Sequence, residues 1–262
     1  MKLFQENIVV NWHEHVWFDD RQNLDIKRFE RLLDAAHKTN TDYLVCSLPL
    51  TRGNPTPTDM RRCNDVLYEA MKHYPDMIKG MAFVNPGYVK ESLDEVKRCI
   101  DELGMIGVKL YNQYHISDPV VRSLIEQCIE LDIPILQHAG KLNFMPQEQP
   151  FISDGTHFAK VAIEYPEAII IHAHVGGGGD WQWAIKAIAD HPNIFIDTSG
   201  SVHDEGIIED TIEALGAKRM LFGTDGSYCA GVGKILSARI TYDDKLEILN
   251  NKRFTRYLAR GL

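Results

Sequence analysis

Two histidines one residue apart, His13 and His15, close the apolar run at 7–12 (NIVVNW). In an extended strand, residues two apart face the same side, so both imidazoles can close on one metal ion. Other apolar runs end in residues of the same chemistry: Lys109-Leu110-Tyr111-Asn112, Gln137-His138, His172-Ala173-His174, Asp197-Thr198 and Thr224-Asp225. A third imidazole from His138 and the carboxylate of Asp225 would complete a shell of nitrogen and oxygen around the His13/His15 pair. Such a shell suits zinc first, with manganese, iron or cobalt as other occupants.

These residues need a scaffold that gathers them. Apolar runs at 7–12, 42–48, 78–84, 105–111, 133–137, 168–173, 193–198 and 219–223 alternate with amphipathic stretches. Their Val, Ile and Leu content suits strands buried on both faces, hence a parallel sheet. One stretch, 91–103, sets Leu93, Val96, Ile100 and Leu103 at helical spacing, with Gly104 where a helix would stop. Eight strands alternating with helices in 262 residues predict a single (β/α)8 TIM barrel spanning 1–262, since that fold takes about 250 residues. An open doubly wound sheet is the alternative. In a barrel the reactive groups stand at the C-terminal ends of the strands, which is where these side chains fall.

Composition narrows the partners. A net charge of -9 argues against general affinity for nucleic acid, and no apolar run is long enough to span a membrane. Five cysteines, an odd count without a C-x-x-C pair, fit free thiols in a reducing cytoplasm. The expected partner is a small molecule; the sequence leaves open whether copies associate as a homo-oligomer.

The motifs resemble those of the amidohydrolase superfamily, in its branch with aminocarboxymuconate-semialdehyde decarboxylase. The resemblance runs through H-x-H at His13/His15, QHAG at His138, HVGGGG at His174 and FGTD at Asp225, and so covers nearly the whole chain. Asn251-Lys252-Arg253 departs from the family's G-N-A-x-R ending, a change that bears on packing. By position, the resemblance implies that His13, His15, His138 and Asp225 bind one divalent metal. It implies that His174 stabilises or protonates the substrate, and that Asp225 doubles as general base. A metal lowers the pKa of its water from 15.7 to about 7, so a neighbouring carboxylate can take that proton. The function expected first is therefore hydrolysis of a small carboxylated amide, lactone or ring. Non-oxidative decarboxylation and a non-catalytic metabolite-binding barrel are the alternatives.

Other residues carry two readings each. GVKLYN around Lys109 is similar to the segment of dihydroorotases in which a carboxylated lysine bridges two metals, so a second metal requires that modification. The plainer reading has Lys109 contact a substrate carboxylate or a lumen acid. His172 is expected to point as His174 does, one layer deeper, either packing or serving the site. His115, His157 and His203 fall in loops on the catalytic face, within reach of substrate. Arg52 could clamp a carboxylate bidentately or lie on the surface. Gly176 to Gly179 read as a turn that brings backbone close to the metal centre.

Overall fold

The computed structural model describes residues 2–140, 150–175 and 177–259. Eight parallel strands pair in chain order: β1 (Val10–His15), β2 (Tyr43–Ser47), β3 (Ile78–Phe83), β4 (Gly107–Leu110), β5 (Ile135–Gln137), β6 (Ile170–His172), β7 (Ile194–Asp197) and β8 (Met220–Leu221). Just past β8 the backbone runs against β1. Trp12 N–H donates to the Phe222 carbonyl and Asp225 N–H to the His13 carbonyl, both at 2.8 Å. The sheet thus closes into the (β/α)8 barrel, and the open-sheet alternative fails because its first and last strands would stand apart.

Helix α1 (Lys2–Gln5) precedes the barrel. The outer layer is α2 (Ile26–Lys38), α3 (Pro57–His73), α4 (Val89–Asp101), α5 (Arg122–Glu130), α6 (Gly155–Glu164), α7 (Trp181–Ile188) and α8 (Ile207–Leu215). After β8 come α9 (Tyr228–Ser237), α10 (Tyr242–Leu249) and α11 (Lys252–Leu258). Local sequence sets the starts. Thr56 accepts from Asp59 N–H while the Asp59 carboxylate accepts from Thr56 N–H, a capping box with Pro57 in the first turn of α3. Gly104, at φ +67°, turns the chain after α4 as expected. The inward face of α4 is more polar than its pattern suggested. It includes Glu95, 6% exposed, which Arg98 Nη2 bonds at 2.7 Å and Asn64 Nδ2 at 2.9 Å.

Inside the barrel, Val10, Trp12, Met81, Leu136, Ile171 and Phe195 form an apolar plug. Phe254 of α11 closes its lower end, edge-on to Trp12 at 5.2 Å and to Phe195 at 4.7 Å. Asn251 Nδ2 holds α11 there by donating to the Lys218 and Met220 carbonyls, both at 3.0 Å, at the start of β8. The divergent C-terminal residue therefore serves packing, and the polar residues collect at the opposite end.

Candidate metal centre

The His13/His15 pair reaches the lumen through an irregularity. Val10 and Trp12 already face the lumen, so plain alternation would send His13 and His15 outward. The register along β2 shifts between Asn11 and Glu14: three steps on β1 match two on β2, from Leu44 to Cys46. This bulge re-phases the strand and turns both histidines inward. Glu14 then points into the wall, buried, accepting from Gly226 N–H at 3.0 Å, from Asn11 Nδ2 at 3.3 Å and from the Thr224 hydroxyl. It straps the turn that carries Asp225 to β1.

His13 is fully buried and fixed from both sides. Its Nδ1 lies 2.9 Å from Asp197 Oδ2, and its Nε2 lies 2.9 Å from Lys109 Nζ and 3.8 Å from Asp225 Oδ1. The carboxylate calls for the proton on Nδ1, which leaves the Nε2 lone pair facing the site. His15 Nε2 stands 2.9 Å from Asp225 Oδ1, and its Nδ1 meets Ser47 Oγ at 3.1 Å. His174 stacks on His13 at 4.8 Å, with Nδ1 2.7 Å from Ser199 Oγ and 3.6 Å from Asp225 Oδ2. His138 Nδ1 is 3.0 Å from His174 Nε2, and its ring lies on Tyr111 at 4.1 Å.

Two of these residues sit in left-handed backbone, His174 at φ 66° and Asp225 at φ 47°. Such geometry is uncommon outside glycine and gathers at functional sites. It also corrects the reading of His172. The turn at His174 breaks the alternation, so His172 faces the helical layer, 4.4 Å from the Phe158 ring, with Nδ1 2.9 Å from the Ala173 carbonyl. It lies outside the site. Glycine lets the backbone close in: a Cβ at Gly177 would stand 2.6 Å from His174 Cβ. The predicted glycine turn is thus seen at Gly177, while Gly176 lies outside the described residues.

The arrangement is charged as a ligand set must be. Burial pushes His174 down to about 3, and lowers His13, where the Lys109 ammonium adds to the effect. His138 falls well below its ordinary value through burial, then through His174. Burial alone would raise Asp197 and Asp225; the histidines around them, His13 foremost, outweigh it and hold both carboxyls well below the usual range. Burial also brings Lys109 down to about 8. Neutral imidazoles beside carboxylates are the protonation states a divalent cation requires. The donor atoms of His13, His174 and Asp225 all lie within 4.8 Å of one another. Of the four expected ligands, His13 and Asp225 are thus in the closest group. His15 adjoins it through Asp225, His138 stands behind His174, and His174, expected to serve the substrate, is in the group itself.

The site opens into a cavity of about 210 Å³ lined by Tyr111, His138, His174, Gly200, Thr224 and Asp225. The other expected contacts lie farther out. His115 stacks on His157 at 4.1 Å, near Phe151. His203 borders a separate cavity between the loop before α8 and helix α9, and Arg52 borders a third. The sequence reading gave Asp197, Ser199 and Glu14 no role. Asp197 closes one of the eight runs as a carboxylate, which was the available signal; Ser199 and Glu14 had none.

The family description "Amidohydrolase" matches residues 12–239. The chain belongs to the amidohydrolase family. Within its decarboxylase branch, it is 24% identical over 203 residues to the 2-amino-3-carboxymuconate-6-semialdehyde decarboxylase of Dictyostelium discoideum. That match spans 64% of this chain and 56% of the relative's length. It is 26% identical over 255 residues to the gamma-resorcylate decarboxylase of Rhodococcus jostii (strain RHA1), covering 77% of both. Among solved structures, 2,6-dihydroxybenzoate decarboxylase complexed with 2,6-dihydroxybenzoate superposes with a TM-score of 0.73 at 18% identity, covering 97% of this chain and 99% of that one. A dihydroxybenzoic acid decarboxylase from Polaromonas sp. JS666 with bound manganese gives 0.72 at 17% identity, with 97% of each chain covered. This amidohydrolase is thus an enzyme-family member with the shared barrel. Among its described residues, no helix is long and apolar enough to cross a membrane.

Proposed function

We propose that this enzyme is a metal-dependent decarboxylase that removes carbon dioxide, without oxidation, from a small aromatic or enolic carboxylate bearing a neighbouring hydroxyl. The carrying observation is the convergence of His13, His174 and Asp225, the last two of which line one cavity. It occurs in a chain whose relatives, matched over 77% of their length, are named decarboxylases. Decarboxylation therefore displaces hydrolysis, the first expectation.

His13, His174 and Asp225, with His15 adjoining, would hold the ion. Manganese stands beside zinc as the occupant, because three solved neighbours hold manganese. When bound, the ion would grip the substrate's carboxylate and adjacent oxygen and stabilise their negative charge. Lys109 Nζ, 2.9 Å from His13 Nε2, stands at the edge of the ligand group, where it would add positive charge beside the substrate's carboxylate.

Tyr111 and His138, stacked on one another, wall the cavity with flat surfaces suited to a planar substrate. Asp225 is the carboxylate that lines it. As an anion it takes the proton of the substrate hydroxyl and returns it to the carbon bearing the carboxylate. The bond to that carboxylate then breaks, its electron pair restores the conjugated system, and carbon dioxide leaves. The product oxyanion takes a proton from solvent, so one proton is consumed in all.

The test loads purified protein with manganese or zinc. It supplies 2,6-dihydroxybenzoate and other hydroxybenzoates beside small amides and lactones, and measures carbon dioxide and products. One carbon dioxide per product is expected, and in heavy water one deuterium at the vacated carbon. Asp225→Asn should keep much of the ion and lose about 10²–10⁴-fold in turnover, the usual contribution of a positioned base. Ring opening of an amide or lactone without carbon dioxide release would restore the hydrolase. Negligible metal after loading with both ions would leave only a binding barrel.

A further inference from the structure

Between β7 and α8 the chain forms a partition. Gly200 and Ser201 line the cavity of the metal centre, while His203 and Asp204 line a separate cavity of about 640 Å³ that reaches α9. One buried group holds the partition from the far side. Lys234 of α9, 8% exposed, donates from Nζ to the carbonyls of Thr198 at 3.2 Å, Ser199 at 3.3 Å and Gly200 at 2.9 Å. The sheet ladder has ended there, and among the described residues no backbone N–H reaches these three oxygens. An ammonium carries three N–H groups, so each carbonyl receives one. Lys234 has no carboxylate partner among the described residues. A methionine would fill the same space without a charge to bury, so packing alone does not call for a lysine.

What the three carbonyls position is Ser199. Its N–H and its hydroxyl both donate to Asp197 Oδ1, so the hydroxyl oxygen is left to accept, and His174 Nδ1 meets it at 2.7 Å. The His174 proton therefore sits on Nδ1, and Nε2, 3.0 Å from His138 Nδ1, carries the lone pair that an ion needs. Lys109, the other buried ammonium near the site, touches His13 directly. Lys234 bonds none of the ligand residues, so its effect on the ion has to pass through this loop.

We propose that Lys234 is a positioning residue of the metal centre: its ammonium fixes the loop past β7 from behind and, through Ser199, selects the His174 tautomer that binds the ion. The inference rests on the reading of His174 as a ligand and not on which reaction follows. Its test needs no turnover, so failure of the decarboxylase would leave it standing.

The arrangement has a consequence in pH. Lys234 is in the wall of the cavity beside His203 and not in that of the metal centre, so its proton exchanges with solvent there. Burial brings Lys234 down to about 8, opposed by the Asp197 carboxylate. Asp204, Glu205, Glu209, Cys229 and Arg239 share the cavity with it; Arg239 pairs with Glu205 at 3.3 Å and Glu209 at 3.8 Å, and Asp204 accepts from Trp181 Nε1 at 2.7 Å. Once the proton leaves, the amine has two N–H groups and a lone pair, and one of the three carbonyls loses its donor. The loop then slackens, and the hold of Ser199 on His174 with it.

Nitrogen-15 spectra of the histidine-labelled full chain without metal, followed from neutral to alkaline pH, read the His174 tautomer directly. His174 should hold its proton on Nδ1 at neutral pH and change with a midpoint near 8, and Lys234→Met should show the alkaline signal throughout. Zinc affinity, measured by competition with a chromophoric chelator, should fall about threefold or more in Lys234→Met and no further than in Ser199→Ala. In the Ser199→Ala background the same change should shift affinity by less than about twofold, because the route through Ser199 is already cut. An undiminished loss in that background would overturn the proposal, by assigning Lys234 to the general stability of the barrel. A step near pH 8 that survives Lys234→Met belongs to Lys109, itself brought down to about 8, or to Cys229, and would overturn it equally. So would a His174 signal that stays level across the whole range in the unaltered chain, a result that requires no variant to fold.

Discussion

Asp197→Asn should disable the metal centre by reversing the tautomer of a histidine while changing almost nothing in shape. Three donors converge on Asp197 Oδ1: His174 N–H at 3.2 Å, Ser199 N–H at 2.8 Å and the Ser199 hydroxyl. His13 Nδ1 alone meets Oδ2, at 2.9 Å. Asparagine has one acceptor oxygen, and the three donors will claim it, so its NH₂ must face His13 Nδ1. That nitrogen then has to accept, and the His13 proton moves to Nε2, the atom aimed at the metal site and at the Lys109 amine. Loss of a partner behind a metal-bound histidine costs about 10–100-fold in affinity. Because the ligating lone pair itself is lost here, the upper figure applies, about 2.8 kcal/mol at about 1.4 kcal/mol per tenfold. Competition with a chromophoric chelator would measure the affinity, and nitrogen-15 spectra of the imidazole would report the tautomer. Ser199→Ala, which spares the Asp197–His13 contact, should lose less than about tenfold. Metal affinity of Asp197→Asn within about threefold of the parent, with Nδ1 still protonated, would refute the reasoning.

Two further outcomes follow from the same site. In the metal-free protein the buried neutral histidines have folded pKa values below their unfolded value of about 6.5, so the unfolded chain binds protons first as the pH falls. Stability should drop below pH 6.5 with a slope of up to about 1.4 kcal/mol per pH unit for each such group. The loss for His174 ends near its folded value of about 3; a melting temperature that stays level from pH 7 to pH 5 would contradict this. Glu14→Gln sets an amide NH₂ against Gly226 N–H in a buried strap, at a cost of about 1–3 kcal/mol, or roughly 2–12 °C in melting temperature for a chain of this size. A variant as stable as the parent would show that the strap does not hold the Asp225 turn.

The barrel could be read from the sequence because parallel strands buried on both faces write themselves as apolar runs. Even β8, only Met220–Leu221, stood out by its apolar flank and the Thr224-Asp225 that follows. The chemistry could be read because it concentrates where those runs end. Orientation was less visible. H-x-H places two side chains on a common face but does not say which face, and the bulge after Asn11 decided it. His172 and His174 look equivalent at two-residue spacing, yet φ 66° at His174 separates a wall residue from a site residue. No local pattern announces that angle where the residue is histidine. Asp197 acts across strands, on partners 184 and 23 residues away in the chain, and such contacts exist only once the barrel has closed.

The placement of strain makes the same point about how the site is held. Left-handed backbone at a residue with a side chain costs about 1–3 kcal/mol and persists only where the surroundings over-determine it. At His174 the surroundings are the Asp197 carboxylate, which takes the His174 N–H while its other oxygen orients His13. At Asp225 they are the His13 carbonyl, which takes the Asp225 N–H, and the Glu14 strap on the following Gly226. His13 is thus braced against both strained residues, and the two other members of the close donor group are held by contacts that lead back to it. Removing either brace should release a neighbour as well as the residue it touches. Asp197→Asn and Glu14→Gln should therefore combine with less than additive loss of metal affinity, since each loosens the same three-residue unit, and strictly additive losses would show two independent supports.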